Sequence, residues 1–422
     1  MNKKVYEEIL ELISPEKEKI EFIEKSLKEF LSKINLNIKK AKIKAEIFVG
    51  GSFAKKTLIK KDKYDVDVFL RFDKKYEDKT LSELTEKLLK GFLNVIRVHG
   101  SRDYFRINYK EDFFIELIPV LKVNKPKDAR NITDLSYSHV KYIQKKIKTQ
   151  KILNEIMIAK AFCHAKNCYG AEGYIRGFSG YSLELLVYYF GSFEKFVKAI
   201  VNSKEKIVID IEKDYKNKQQ ILLDLNGSKL ISPIILIDPT FKQRNASAAL
   251  SDETFLRFKK DCANFLKNPS VKEFERKKTD LETIKKNALK NKREFILVEI
   301  STKKDAGDVA GTKLFKFYNH LIEEISRFFD IFDKGFSYNK KQSSKCFFVV
   351  KKKNEIVFSG PNAKDQINAK KFREEHKKVF VKKGNLFAKE KFSLGIKEFL
   401  EKWKIKNSKK ITEMAIENLK TF

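Results

Sequence analysis

A chain of 422 residues with 90 basic against 57 acidic side chains carries a net charge of +33; it is too long for one hydrophobic core and implies about two to four domains. Such a charge implies a polyanionic partner, held with an affinity that falls as salt rises. No apolar run is long enough to cross a bilayer, and Cys163, Cys168, Cys262 and Cys346 are scattered without a C-x-x-C pair, which argues against a membrane, disulfide-framed or zinc-ribbon protein and predicts a cytoplasmic one with reduced thiols.

Residues 5–12 read as a short amphipathic helix. Ser14-Pro15 predicts the cap and first turn of a second helix, whose apolar positions Ile20, Ile23, Leu27, Phe30, Leu31 and Ile34 fall on one face. Residues 46–49 read as a strand that runs into Gly50-Gly51-Ser52, a turn whose glycines let backbone N–H groups approach a phosphate while the Ser52 hydroxyl donates to it. Asp65-Val66-Asp67 follows thirteen residues after that serine and opens a second strand, 65–71.

Side chains alternate along a strand, so Asp65 and Asp67 share one face while Val66 and Val68 take the other. Two carboxylates on one face are costly unless cations neutralise them. Hard oxygen donors held close together suit Mg²⁺, and two ions roughly 3.5 to 4 Å apart can serve the attacking and leaving oxygens of one in-line displacement. Lys55 stands close behind the serine. A third carboxylate is expected on a neighbouring strand, and Glu116, the one charge in the apolar strand 113–120, supplies it, because a lone buried charge needs a partner. Phosphoryl or nucleotidyl transfer is the chemistry this combination suggests.

A helix-rich stretch follows from about 139 to 265, interrupted by strands at 207–211 and 234–237. Lys160 lies on a helix with Ile152, Leu153, Ile156, Met157 and Phe162, where a lysine is ordinarily just solvated, and Tyr169 fits a core ring with its hydroxyl at the edge. Arg176 opens a turn before a helix starting near Gly180; it suits either phosphate or simple packing. Arg244, between an Asp-Pro turn and a helix, offers a planar fork for bidentate contacts. Ser251-Asp252-Glu253 starts another helix with acidic residues in its first turn. The charged stretch 268–292 reads as the connection into a last domain: a strand at 295–300, a helix at 314–332, a hairpin of 346–350 with 355–358 turning at Lys351-Lys352-Lys353-Asn354, and helices at 363–379 and 394–404.

Several of these segments resemble a known family. Gly50-Gly51-Ser52-Phe53-Ala54-Lys55-Lys56-Thr57 and Asp65-Val66-Asp67-Val68-Phe69 resemble the head pattern of polymerase-β-type nucleotidyltransferases. Tyr169-Gly170-Ala171-Glu172, Arg176-Gly177-Phe178-Ser179-Gly180-Tyr181, and Asp238-Pro239 with Arg244-Asn245-Ala246 six residues later narrow the resemblance to the archaeal (class I) CCA-adding enzymes, tRNA nucleotidyltransferases. Ser359-Gly360-Pro361 leading to Ala369-Lys370-Lys371-Phe372 extends it into the C-terminal third.

The resemblance implies an α+β multidomain protein with a polymerase-β-like nucleotidyltransferase head at 1–138, a helix-rich central domain for nucleotide and tRNA at 139–267, and an α/β C-terminal RNA-binding domain at 268–422. It implies addition of C, C and A to a tRNA 3′ end from CTP and ATP, without a nucleic-acid template and with release of pyrophosphate. By position, Ser52 and Lys55 would hold phosphates, and Asp65 and Asp67 would ligate both Mg²⁺ ions. Glu116 would ligate the ion that activates the RNA 3′-hydroxyl. His139, Lys160 and Tyr169 sit where the family binds the triphosphate tail or ribose, and Arg244 where it reads the base edge. A homodimer is one option for the oligomeric state.

The chain departs from the family pattern at Glu116, where aspartate is usual, at Leu58, and at Lys60-Lys61-Asp62-Lys63, where a glycine or proline is usual. Two rivals share the head pattern: a poly(A) polymerase that uses ATP alone, and a catalytically silent RNA-binding scaffold. The central motifs count against the first, and three intact acidic positions against the second.

Overall fold

The computed structural model describes residues 3–100, 102–110, 112–276 and 279–422. The chain forms two compact units, Met1–Lys277 and Lys278–Phe422. Residues 277 and 278, inside the charged connection expected at 268–292, lie outside the described residues.

The first unit begins with helices α1 (Lys3–Ile13) and α2 (Lys17–Ala41). Helix α2 starts two residues later than Ser14-Pro15 suggests, with Glu16 at its N-cap. Strand β1 (Ala45–Val49), the short helix α3 (Gly51–Ala54), β2 (Tyr64–Phe72), α4 (Asp78–Leu88), β3 (Val95–Val98), β4 (Tyr104–Lys110) and β5 (Phe113–Leu121) complete a head built on one sheet. Its strand order is β1-β2-β5-β4-β3, with β2 parallel to β5 and antiparallel to β1. The period of two explains how the sheet works. Val66, Val68, Leu70 and Phe72 bury against Ile23, Phe30 and Ile34 of α2 and Leu81 and Leu88 of α4, which leaves Asp65 and Asp67 on the opposite face. Strands β3, at the sheet edge, and β4, one strand in, were not legible in the sequence; their mixed polar pattern fits antiparallel strands with one wet face.

The unit continues through helices α5 (Ser136–Lys146), α6 (Gln150–Ala165), α7 (Gly180–Phe190) and α8 (Phe193–Asn202), strand β6 (Ile207–Ile209), α9 (Lys218–Asp224), the hairpin β7 (Ile234–Asp238) and β8 (Phe241–Asn245), and α10 (Asp252–Lys267). Its core is a cluster in which Phe162 meets Phe193, Phe258, Phe265 and Phe274 edge-on or tilted. Ile9 and Ile13 of α1 bury in this central core rather than in that of the head. Ser251 caps α10 as its acidic first turn suggests, accepting from the Thr254 N–H.

The second unit comprises α11 (Leu281–Lys290), β9 (Glu294–Ser301), α12 (Asp308–Phe328), β10 (Phe329–Tyr338), β11 (Ser343–Lys352), β12 (Glu355–Asn362), α13 (Gln366–Glu375), β13 (Val379–Lys382), β14 (Asn385–Lys391), α14 (Ile396–Lys406), α15 (Ser408–Glu413) and β15 (Asn418–Thr421). These build one sheet in the order β10-β11-β9-β15 and a second in the order β12-β14-β13.

Three sequence expectations change here. The helix expected to run to residue 332 stops at Phe328, and Phe329 turns the chain into β10; the short apolar run around it satisfies both helical and strand periods. The expected 346–358 hairpin is absent, because β11 pairs with β10 and β9 while β12 pairs with β14 in the other sheet. The helix expected to reach 379 ends at Glu375, and β13–β14 form a hairpin around Lys383-Gly384, whose φ values of 52° and 81° are those of a primed turn.

Candidate active site

The wet face of the head sheet gathers the predicted carboxylates. Asp67 of β2 is the register partner of Glu116 of β5, and Asp65 lies one pleat away on the same face. Gly51 approaches from β1's end with φ 63°, and a Cβ there would fall 1.8 Å from Asp67 Oδ2, so only glycine permits this contact. The Gly50 N–H donates to the Asp67 carbonyl at 2.9 Å, tying the turn to the strand. Ser52 follows within α3, and its carbonyl accepts from the Thr57 N–H.

Burial pushes the Asp67 carboxyl up to about 7, Asp65 and Glu116 add to the rise, and Lys55 and Lys61 oppose it. Ionising all three carboxylates together is therefore costly. Lys61 Nζ meets Asp65 at 2.7 Å, and Arg106 of β4 meets Glu116 at 2.9 Å. Divalent cations fit this donor set, since a half-buried carboxylate that resists ionisation beside two others is the situation a hard cation relieves. Among the described residues no three His, Cys, Asp or Glu side chains are yet gathered closely enough to hold an ion; the pairs with Lys61 and Arg106 would have to give way.

Beside the carboxylates lies a buried cationic cluster. Lys55, just after α3, donates to Glu184 Oε2 at 2.7 Å. Lys160 of α6 donates to Glu184 Oε1 at 2.8 Å and to Thr57 Oγ1 at 2.6 Å. Burial pulls the Lys160 ammonium down to about 8, although Glu184 resists the fall. Burial acts to raise Glu184, but Lys160 and Lys55 outweigh it and hold the carboxyl below its ordinary value. Tyr169 stacks on His164 with centroids 4.0 Å apart, and a Cβ on Gly180 would sit 2.7 Å from its hydroxyl. Burial, with Glu184, Asp65 and Asp67 nearby, raises the Tyr169 phenol.

A third cluster centres on Asp238, whose side chain is fully buried. It accepts from Arg244 Nη1 at 2.6 Å, Tyr181 Oη at 3.0 Å and both the N–H and hydroxyl of Thr240. His139 Nε2 lies 3.1 Å from the same carboxylate, and its ring stacks on Tyr181 at 4.1 Å. Burial opposes ionisation of Asp238, yet His139, Arg244 and the Thr240 N–H hold its carboxyl far below the usual range. Burial lowers the His139 imidazole despite Asp238, and the facing carboxylate, which can only accept, makes Nε2 the donating nitrogen. Arg244 sits on strand β8, between the Asp238-Pro239 turn and helix α10.

Arg176 stands apart. Its side chain is exposed, its φ is 51°, and its carbonyl accepts from the Ser251 N–H at 3.0 Å. Sequence reasoning missed Glu184, Asp238, Thr57 and Tyr181. A signal for Glu184 existed, the same one that exposed Glu116: a single charge in the apolar run Leu183–Val187. All four cysteines are buried and free, and no helix among the described residues is long and apolar enough to cross a membrane.

Residues 154–275 match the family described as tRNA nucleotidyltransferase, second domain. In fold the chain is similar to the Cid1 RNA terminal uridylyl transferase (TM-score 0.51, 12% identity, 65% of this chain and 98% of that one) and to the Cid1 poly(U) polymerase with Mg and 3′-dATP bound (TM-score 0.50, 14% identity, the same coverage). It is 27% identical to the CCA-adding enzyme of Methanocaldococcus jannaschii, across 91% of this chain and 86% of that protein. It is 34% identical over 345 residues to the CCA-adding enzyme of Nanoarchaeum equitans, across 81% of this chain and 83% of that protein. With this extent and level of identity, the chain belongs to the CCA-adding enzymes.

Proposed function

We propose that this protein adds C, C and A in turn to the 3′ end of tRNA, taking nucleotides from CTP and ATP, needing no nucleic-acid template and releasing pyrophosphate. One observation carries the reading: Asp67 and Glu116 in register on adjacent strands, with Gly51 packed against Asp67 and the Lys55–Lys160 pair alongside. Enzymes of this kind use divalent metal ions. Asp65, Asp67 and Glu116 would hold two Mg²⁺ ions, which when bound would polarise the α-phosphate and acidify the 3′-hydroxyl.

The rest falls to the chain's own side chains. The Gly50–Ser52 backbone and the Ser52 hydroxyl receive triphosphate oxygens, and Lys55 and Lys160 balance the charge that accumulates on pyrophosphate as the α–β bridge breaks and the 3′-oxygen bonds to phosphorus. Tyr169 and His139 flank the tail and ribose. Arg244, anchored on Asp238 by one Nη, keeps its other donors for the base edge. Arg176 adds an exposed cation for phosphate. Residues 1–138 act as the catalytic head, 139–267 as the substrate-binding domain and 268–422 as the tRNA-binding domain, which grips the acceptor stem and TΨC arm by shape and phosphate because A-form RNA hides its major-groove edges. The protein works in the cytoplasm, and a homodimer is compatible with this scheme.

The test is extension of a labelled tRNA lacking CCA, with Mg²⁺ and CTP alone, ATP alone or both, resolved at single nucleotides. Two additions with CTP and a terminating third with both are expected. A long ladder with ATP alone would identify a poly(A)-type polymerase, and tRNA binding without extension a silent scaffold.

A further inference from the structure

Glu184 is a completely buried carboxylate on α7 with two ammonium groups on it, one per oxygen: Lys55 at 2.7 Å and Lys160 at 2.8 Å. Two ammonium groups share one carboxylate in a place where charge is expensive, and the further anion that acts on Lys55, Asp67, belongs to the neighbouring carboxylate cluster. The geometry is incomplete on the donor side. Each ammonium carries three N–H groups, and the contacts made with Glu184 and Thr57 use one from Lys55 and two from Lys160. A packing device would not need two lysines brought from separate elements, one after α3 and one on α6, to within reach of a single carboxylate. The arrangement suits a polyanion that accepts from the remaining donors.

We infer that Glu184 is the positioning residue of the triphosphate subsite, its carboxylate fixing Lys55 and Lys160 as one rigid pair turned toward the same phosphate chain. The inference rests on the nucleotide-transfer reading above and deepens it. Glu184 touches no substrate; it acts by setting the separation of the two ammonium groups and by keeping both charged. Thr57 Oγ1, 2.6 Å from Lys160 Nζ and 3.4 Å from Glu184 Oε1, closes the cluster from the head side. The charged groups facing Lys160 are Glu184, which favours its ammonium form, and Lys55 and Lys61, which oppose it. Losing the Glu184 charge therefore both frees the lysines and makes Lys160 easier to neutralise.

The test compares equilibrium binding of CTP and CMP to the full-length protein and to Glu184→Gln. A purely structural carboxylate would change thermal stability but not the ratio of the two affinities. The expected result is a fall in CTP affinity of roughly 10- to 100-fold, the scale for weakening charge-assisted contacts, with CMP and tRNA affinities little changed. An unchanged CTP-to-CMP ratio overturns the inference. If Glu184→Gln does not fold, the charge-balanced pair Lys160→Met with Glu184→Gln is compared with Lys160→Met alone: further loss of CTP affinity supports the inference, because Lys55 has lost its anchor, and no further loss overturns it. Equal affinity of the unaltered protein for CTP and CMP would instead overturn the triphosphate subsite itself.

Discussion

Asp67 and Glu116 face each other across the parallel pair β2–β5. Parallel register puts both carboxylates on one side of the sheet, one strand spacing apart, with Asp65 beside them. Asp67 is the member pressed by the glycine turn. Replacing it with alanine should lower turnover to below about 1% of the unaltered rate, the loss expected when a charge contact worth about 3 kcal/mol in the transition state is removed. Affinity for tRNA should be retained. A large loss of tRNA binding would contradict its assignment as a metal ligand.

The same carboxylate should weaken the metal-free fold. Its pKa stands near 7 in the folded chain against an ordinary 3.8. The folded state therefore holds the proton more tightly, an advantage fully present below pH 3.8 and lost as pH rises through 7. With chelator present, Asp67→Asn should melt several degrees above the unaltered protein at alkaline pH and show no such gain in acid. Identical melting at alkaline pH would mean that Asp67 is solvated.

Gly51 is a steric requirement of the site. Any side chain there meets Asp67 at 1.8 Å and must adopt a φ of 63°, a left-handed conformation that costs about 1–2 kcal/mol. Gly51→Ala should cost activity far more than stability, because α3 is short and can shift while Asp67 cannot. Kinetics and a melting curve on one preparation decide it; a variant that keeps full turnover would show that the turn need not touch Asp67.

Much of this was legible in the sequence, for identifiable reasons. Strand alternation placed Asp65 and Asp67 on one face, and a lone charge in an apolar strand exposed Glu116. The same logic would have exposed Glu184, but a helix of period 3.6 gives a single glutamate no fixed face without knowing what packs against it. Asp238 read as part of a turn, whereas its role as a hub depends on His139 and Tyr181, which are 99 and 57 residues away. In the fold, β3, β4 and the β13–β14 hairpin were missed because their patterns are short and half-exposed. Phe328 and Phe329 show the limit most clearly: neighbouring phenylalanines end a helix and begin a strand, and only the pairing of β10 with β11 decides where.

Lys160 predicts a falling alkaline limb. Its ammonium loses its proton near pH 8 rather than 10.5, so it is charged below that value and neutral above it. Triphosphate binding raises the transition, because a phosphate favours the ammonium. KM for CTP should therefore increase as the pH is raised beyond about 8 and should lose that dependence in Lys160→Met, which begins with weaker binding at neutral pH. An equally steep alkaline limb in the variant would assign the titration to another group.

Asp238 and Arg244 give a test of base reading that separates structure from selection. Arg244→Ala should relax the choice between CTP and ATP, or weaken use of both, more than it weakens tRNA binding. Asp238→Asn keeps the volume but removes the charge that fixes Arg244 and the His139 tautomer. Breaking such a buried pair costs about 3–5 kcal/mol. Because the folded carboxyl is held far below 3.8, its contribution is present at neutral pH and is lost as pH falls below that ordinary value through the depressed folded one. The destabilisation of Asp238→Asn should therefore shrink in acid. At neutral pH the variant should share the relaxed nucleotide choice of Arg244→Ala, since an unanchored guanidinium can no longer present its remaining donors in one direction. Combining the two substitutions should then add little further loss of selection. If Asp238→Asn lowers the melting temperature yet selects CTP and ATP as before, the carboxylate only holds β7 and β8 in place and Arg244 finds its direction from the RNA.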